Sequence, residues 1–412
     1  MKYGLIGEKL GYSFSKEIHT SFHKYDYVIK ELSKSELENF IKAKEYLGLN
    51  VTIPYKTIVI PYLDEIDKMA YDLGAVNTIV NDNGKLYGYN TDVFGFIYLV
   101  QKSGCILENK NVCILGTGAT SKTITYAVKT LGAKQIYNVS RNQKQGCFTY
   151  QTINEVADSI DVIINASPCG TFPNIDECLI ELKNFKNLGG VLDVVYNPLK
   201  SSLVRKAEDL NIKAIGGLYM LVAQASLSAK LFLNGNVNIN IDNIYKDIKD
   251  KHTNIILIGM PGSGKTTIGK VLSEELEKKF IDVDSLIEEK IGVSINEFFK
   301  KHGEEEFRKV ESEVIKDLSK LQGYVIATGG GVVLNEQNMY YLRANGKIIL
   351  INRDLDKIII DENRPLLKNK TDLKKNYKDR YAIYKKNCDL EIFNNDTIAN
   401  AVKRIGSLIW RY

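Results

Sequence analysis

The sequence predicts an α/β protein of several domains, each built on a largely parallel sheet. Three observations lead there. Short apolar runs of strand length recur along the chain, separated by longer polar-patterned stretches of helix length. Two glycine-rich loops of different kinds each follow one of those runs. A polar, Asn-rich stretch at 234–253 breaks the alternation and marks the main boundary. A chain of 412 residues is also too long for one ordinary core and suggests roughly two to four domains.

Bulk composition narrows the function classes. Hydrophobic content of 44% and charged content of 25% suit a soluble globular protein. No apolar run approaches the roughly 18–20 residues of a membrane span. The start, Met1 to Gly7, reads as a first strand and not a signal peptide. The six cysteines form no CxxC pair, which predicts a reduced, cytoplasmic protein. None of the four histidines has zinc-site spacing. A net charge of +5 is mild and fits a lysine-rich solvated surface, without the basic stripe of a nucleic-acid binder.

The predicted strands, in order, include 112–115, 162–164, 191–195, 255–258, 325–327 and 348–351. Before them come three polar clusters. Ser13 and Ser15 place two hydroxyls on one side of an extended segment. The run Asn50 to Lys56 ends a strand with Thr52 and a lysine in a short loop. The run 74–92 reads as a hairpin through Asp82-Asn83-Gly84, which would bring Asn77 near Asp92. Hydroxyls, amides, one Lys and one Asp suit a polyhydroxylated acid, and the Lys–Asp pair suits proton transfer at a carbonyl or alcohol centre. Taken singly, Lys56 also reads as a surface lysine and Asp92 as a helix cap.

The first glycine loop, Gly116-Thr117-Gly118-Ala119, follows the strand 112–115 and precedes a helix-like stretch. Gly116 permits a tight turn, Gly118 allows backbone to approach a pyrophosphate, and the helix start supplies N–H groups. The next strand ends in Ser140-Arg141-Asn142, where NAD enzymes carry an acidic residue. An arginine there pairs with a 2′-phosphate and favours NADP; the alternative is a surface arginine.

On these motifs residues 1 to about 245 resemble shikimate dehydrogenase. Further matches are Asn165-Ala166-Ser167, Asp193 to Pro198 with Tyr196, and Met220 to Gln224. The resemblance implies NADPH-dependent reduction of 3-dehydroshikimate to shikimate. It implies that Lys56 exchanges the proton at the C3 oxygen and that Asp92 holds substrate and lysine in register. Ser13, Ser15, Thr52, Asn77, Tyr196 and Gln224 would bind the substrate's carboxylate and hydroxyls. Gly116, Gly118, Ala119, Ser140, Arg141, Asn142, Asn165 and Ser167 would hold NADP(H), with Gly217 and Met220 beside the nicotinamide. Departures from the family pattern are Lys16, Thr20, the Gly-Thr-Gly-Ala loop and Tyr219.

The second loop, Gly259 to Thr267, carries the spacing of a P-loop between a strand and a helix. Its Gly262, Ser263, Gly264 and Thr267 would cradle ATP phosphates, Lys265 would reach the β/γ oxygens and Thr266 would bind Mg2+. Asp282 and Asp284 end a strand, Arg308 lies on a helix, and Gly329-Gly330-Gly331 follow another strand. Arg364 and Arg380 add later cations. Each charge alone reads as solvated helix surface; together they form an anion-binding set.

Residues 253–412 thereby resemble shikimate kinase. The resemblance implies that Asp284, Arg308, Gly329, Gly330, Gly331 and Arg380 hold shikimate, with Asp284 orienting its 3-hydroxyl. Lys265 and Arg364 would face the transferring phosphoryl group, and Thr266 with Asp282 would serve Mg2+. The lid before Arg364 lacks a second arginine, and Lys357 is the nearest substitute.

The predicted architecture is therefore a two-domain dehydrogenase followed by an NMP-kinase-like P-loop domain. An α/β substrate domain spans 1–94 with a returning helix at 216–235. A Rossmann NADP domain spans 95–215, a linker 236–252, and the kinase domain 253–412. The function expected is bifunctional, acting on small molecules without nucleic-acid or membrane partners. The alternative is one active half beside a ligand-sensing module.

Overall fold

The computed structural model describes residues 2–11, 13–358 and 370–409. They form two compact units, Met1–Ile248 and Lys249–Tyr412. Among the described residues no helix is long and apolar enough to cross a membrane.

The first unit holds two sheets. One runs, edge to edge, Tyr27–Glu31, Tyr3–Gly7, Gly48–Val51, Thr78–Asp82, Lys85–Tyr89 and Glu65–Ile66. Its first three strands are parallel, and the next two enter antiparallel. The predicted hairpin is present, with Thr78 opposite Tyr89 and Asp82 opposite Lys85. Asn83 and Gly84 turn it at φ of +50° and +88°, the left-handed pair a tight hairpin requires.

The other sheet is wholly parallel, in the order Lys213–Ile215, Gly190–Asp193, Val162–Asn165, Asn111–Leu115, Gln135–Ser140, Phe148–Thr149. The strand order reverses at Asn111–Leu115. A crevice therefore opens beyond its carboxyl end, where ligands of doubly wound sheets bind. The helix Leu218–Phe232 returns to the first domain, packing Leu218, Val222, Ala225 and Ala229 around Phe14, Ile18 and Phe22. It also lies close against the helix Asp92–Ser103. A side chain at Gly95 would meet the Met220 carbonyl at 2.6 Å, so glycine is what lets these two helices touch.

The stretch predicted as a linker at 236–252 is mostly a helix, Ile241–His252. Ile248 is buried with Phe14 and Val222, and Ile241, Ile244 and Tyr245 pack beside it. Tyr245 stacks on Tyr219 with ring centroids 3.5 Å apart, and Lys102 reaches Asp242 at 2.6 Å. The tyrosine that departs from the family pattern is thus half of this stack. Asn-rich composition hid an apolar spacing of i, i+3, i+4, i+7, which is the signal for a helix laid on a core.

Asp193 is fully buried at the end of its strand. It accepts from Ser201 Oγ at 2.6 Å, Asn165 Nδ2 at 2.9 Å and the Val195 N–H at 2.9 Å. Burial pushes its carboxyl up to about 7, against the pull of those three donors. A folded value above the unfolded one contributes stability at low pH that is lost as pH rises through about 7. Asp193→Asn removes the titration. Between pH 4 and pH 7 the wild-type N-terminal unit is expected to lose about 3 kcal/mol relative to this variant. Urea midpoints at the two pH values check it, and parallel curves would refute it.

The second unit has one parallel sheet, ordered Lys279–Asp282, Tyr324–Ala327, Asn254–Ile258, Gly346–Asn352, Leu390–Phe393. The central strand Asn254–Ile258 is buried throughout, and apolar clusters cover both faces of the sheet. Gly303, at φ +81°, splits the long segment Ile295–Leu318 into two helices, the second of which carries Arg308.

Candidate active sites

In the first unit a cleft of about 750 Å3 opens between the two sheets. It is lined by Ser13, Ser15, Thr52, Lys56, Asn77, Asp92, Ser167, Tyr196, Gly217, Met220 and Gln224. Residues predicted from six separate stretches of sequence therefore share one wall system. Lys56 Nζ donates to Asp92 Oδ2 at 2.6 Å, with both side chains largely buried. Asp92 is the first residue of its helix, and its carboxylate turns to Lys56 and Asn77 instead of capping. Asn77 Nδ2 donates to Asp92 Oδ1 at 2.9 Å, and the Thr91 N–H donates to Asn77 Oδ1 at 2.7 Å. The amide is thereby locked in one orientation. A carboxylate so held keeps the ammonium at a fixed point on the cleft wall.

Ser13 and Ser15 converge as predicted, Oγ to Oγ at 3.0 Å, but not on an extended segment. Ser15 starts the helix Ser15–Ser21, and the Ser13 hydroxyl also accepts the Ser15 N–H. Tyr196 packs against Phe14, and burial raises its phenol while a bond with Ser13 lowers it.

The glycine loop takes the predicted turn, with Gly116 at φ +110°, and the helix Ala119–Thr130 starts directly after Gly118. No protein atom stands where a Gly118 side chain would project, so the loop backbone is open to a ligand. Open loop N–H groups at a helix start fit a dinucleotide pyrophosphate. Ser140 is buried at its strand end, while Arg141 and Asn142 follow it exposed. Lys144, unremarked in the sequence, donates to Thr117 Oγ1 at 3.0 Å and adds a second cation at this edge. Asn165 differs from expectation. Its amide donates to Asp193 and the Cys169 carbonyl and accepts from Ser167, so it braces the site from within the protein. Gly116, Gly118, Ala119, Ser140, Arg141, Asn142 and Asn165 are not among the residues lining the cleft, whereas Thr120 is.

In the second unit Gly264 caps the helix Lys265–Glu275 at φ +99°, after the central strand. Lys265 is buried and donates to the Gly259 and Met260 carbonyls, each at 3.0 Å. Thr266 Oγ1 donates to Asp282 Oδ2 at 2.7 Å. That pair offers a hydroxyl and a carboxylate, the hard oxygen donors Mg2+ takes. Asp282 Oδ1 meanwhile accepts the Asp284 N–H at 3.0 Å and caps the helix Val283–Ile291. Asn394 Nδ2 donates to the Ser263 carbonyl at 2.8 Å and supports the loop from far along the chain.

Around Gly329, Gly330 and Gly331 the predicted anion-binding residues converge. Arg308 packs on Gly331, where a side-chain carbon would lie 2.4 Å from its guanidinium nitrogens. Arg380 Nη1 donates to the Gly330 carbonyl at 3.2 Å, and the Tyr384 hydroxyl donates to the same oxygen. Asp284 Oδ1 lies against Gly329, 2.8 Å from where a Cβ would sit. The glycines thus admit these side chains. Glu311, three residues after Arg308 on the same helix, is buried and accepts from Arg308 Nη1 at 2.8 Å. Burial raises its carboxyl, while the Arg308 charge pulls it down. Glu304 takes a second Arg308 nitrogen at 3.1 Å. Lys357 donates to the Asn395 carbonyl at 3.0 Å. Arg364 lies outside the described residues.

Comparison with known proteins agrees with both halves. The family model described as shikimate dehydrogenase substrate binding domain matches residues 5–79, and that described as shikimate kinase matches 261–409. A shikimate dehydrogenase (NADP(+)) of Clostridium perfringens is 34% identical, covering 60% of this chain and 98% of its own length. One from Clostridium botulinum is 37% identical over 56% of this chain and 96% of its own. A chorismate mutase/shikimate 5-dehydrogenase fusion protein from Clostridium acetobutylicum superposes with a TM-score of 0.57 at 34% identity, over 60% of this chain and 97% of that one. A shikimate dehydrogenase crystallised with NADP+ does so with a TM-score of 0.53 at 32% identity, over 60% of this chain and 94% of that one. The chain therefore belongs to the shikimate dehydrogenase family and carries a shikimate kinase domain behind it.

Proposed function

We propose that this protein is a bifunctional enzyme of two consecutive steps, reducing 3-dehydroshikimate to shikimate and then phosphorylating shikimate to shikimate 3-phosphate. The observation that carries this reading is the Lys56–Asp92 pair at 2.6 Å, set in a cleft with the serine, threonine and amide groups of a polyol-acid site. When bound, NADPH supplies a hydride and MgATP supplies a phosphoryl group.

Lys56 Nζ gives its proton to the C3 oxygen as that carbonyl becomes a hydroxyl. Asp92 holds the ammonium in place for that transfer. Ser13, Ser15, Thr52, Asn77, Tyr196 and Gln224 orient the ring by its carboxylate and remaining hydroxyls. Gly116 to Ala119 and Ser167 receive the dinucleotide, Arg141 takes its 2′-phosphate, and Gly217 with Met220 flank the nicotinamide. In the second unit Arg308 and Arg380 hold the shikimate carboxylate, where a planar fork gives direction as well as charge. Asp284 orients the 3-hydroxyl and accepts its proton. Thr266 and Asp282 would hold Mg2+, while Lys265 would serve the phosphates. The substrates are small molecules, and the setting is the cytoplasm.

Incubating the purified chain with 3-dehydroshikimate, NADPH and MgATP is expected to yield shikimate 3-phosphate by mass. Shikimate alone would mean that the second half does not phosphorylate, and would favour the ligand-sensing alternative for it. The absence of both products would overturn the reading.

A further inference from the structure

Behind the Lys56–Asp92 pair lies a closed cluster of hydroxyls that does not touch the cleft. Thr78 and Ser228 are both fully buried, and neither lines the cleft. Their oxygens are 2.9 Å apart, although 150 residues separate them in sequence. Thr78 sits on the strand after Asn77 and donates to Asn77 Oδ1 at 3.1 Å. Ser228 sits one helical turn after Gln224, and its hydroxyl donates to the Gln224 carbonyl at 3.0 Å. Thr91, the residue before Asp92, lies 3.1 Å from Ser228 Oγ and 3.4 Å from Gln224 Oε1.

We propose that Thr78 and Ser228 are positioning residues of the dehydrogenase centre: Asn50 Nδ2, which donates to Thr78 Oγ1 at 3.1 Å and to Ser228 Oγ at 2.8 Å, joins the two hydroxyls, and through it they tie the wall bearing Gln224 to the wall bearing Asn77 and Asp92 and so hold the Lys56–Asp92 pair in register. The proposal rests on the reductase reading of this cleft. The physical reason is orientation. Asn77 presents Nδ2 to Asp92 only while its Oδ1 is held on the other side. Without the Thr78 hydroxyl that oxygen loses a donor, and a tilt of the amide moves oxygen towards the Asp92 carboxylate. Without Ser228 the Asn50 amide keeps Thr78 Oγ1 at 3.1 Å and the Asn77 carbonyl at 3.4 Å but loses its 2.8 Å bond to the helix, which cuts the link across the cluster. A reacting pair displaced by a fraction of an ångström reacts slowly even when substrate still binds.

Thr78→Val removes the hydroxyl at constant shape, and Ser228→Ala removes the other without a helix penalty. Each is expected to lower kcat for 3-dehydroshikimate reduction about tenfold while the KM for NADPH stays within about twofold. Thr78→Ser restores the hydroxyl and is expected to recover most of kcat. The double variant is expected to be no worse than the poorer single, because both act through one cluster. If Thr78→Val does not fold, Ser228→Ala carries the same test. An unchanged kcat in a folded single variant would overturn the proposal, as would losses that multiply and raise the KM for NADPH alongside. Failure of the unmodified chain to reduce 3-dehydroshikimate would overturn the reductase reading, and this proposal with it.

Discussion

Replacing Lys56 with Met is expected to cut 3-dehydroshikimate reduction by about 10^3-fold, within the range general acid catalysis supplies. Phosphorylation of added shikimate by the same chain should stay within about twofold, since Lys56 belongs to the first compact unit and the P-loop to the second. Met matches the length of Lys but carries no proton and no charge. It also leaves Asp92 largely buried beside Asn77 without its cation. An uncompensated carboxylate in such a place destabilises by roughly 3–5 kcal/mol. Lost turnover could then reflect partial unfolding, and a second variant separates the two. Lys56→Met with Asp92→Asn removes the orphaned charge and should regain stability while remaining inactive. Lys56→Arg keeps the charge but cannot release a proton near neutral pH, so it too should be nearly inactive. The readout is NADPH oxidation with urea midpoints alongside. Turnover within tenfold of the unmodified chain in Lys56→Met would exclude Lys56 as the proton donor.

Local pattern carried much of this architecture into view. The apolar runs at 112–115, 162–164 and 255–258 are buried central strands, and the two glycine loops turn where their spacing says they should. The Asn83-Gly84 turn fixed the hairpin register, which brought Asn77 to Asp92. The residues that escaped notice are those whose partners are remote in sequence. Asn394 supports Ser263 across 131 positions, and Ser228 meets Thr78 across 150. Nothing in a serine's neighbours distinguishes a helix-surface hydroxyl from one buried at a junction. Glu311 lies only three residues from Arg308, yet only its burial separates a partner of that arginine from a solvated helix charge. The helix Ile241–His252 is a different case. Its apolar spacing was legible, and the polar Asn-rich setting outweighed it.

Lys265→Met is expected to lower shikimate phosphorylation by about three orders of magnitude and to leave reduction of 3-dehydroshikimate within about twofold. The size follows from charge. A cation about 3–4 Å from the transferring phosphoryl group, at an effective dielectric near 20, contributes roughly 4–5 kcal/mol. Each 1.36 kcal/mol is about tenfold in rate. The geometry favours an effect on turnover over one on binding. Lys265 Nζ bonds the Gly259 and Met260 carbonyls, so the loop's own backbone holds the cation in place. Little reorganisation remains when charge develops, which is where preorganised groups act most. Met cannot make those two bonds, and the loop loses a brace. Asn394 on Ser263 and the helix start at Gly264 still hold it, so nucleotide affinity should fall by less than turnover does. Steady-state rates over a range of ATP, with shikimate saturating, separate the two. A variant with a raised KM for ATP and full kcat would mean that Lys265 only anchors the ground state. A fall in kcat with a modest change in KM would place its charge on the group in flight.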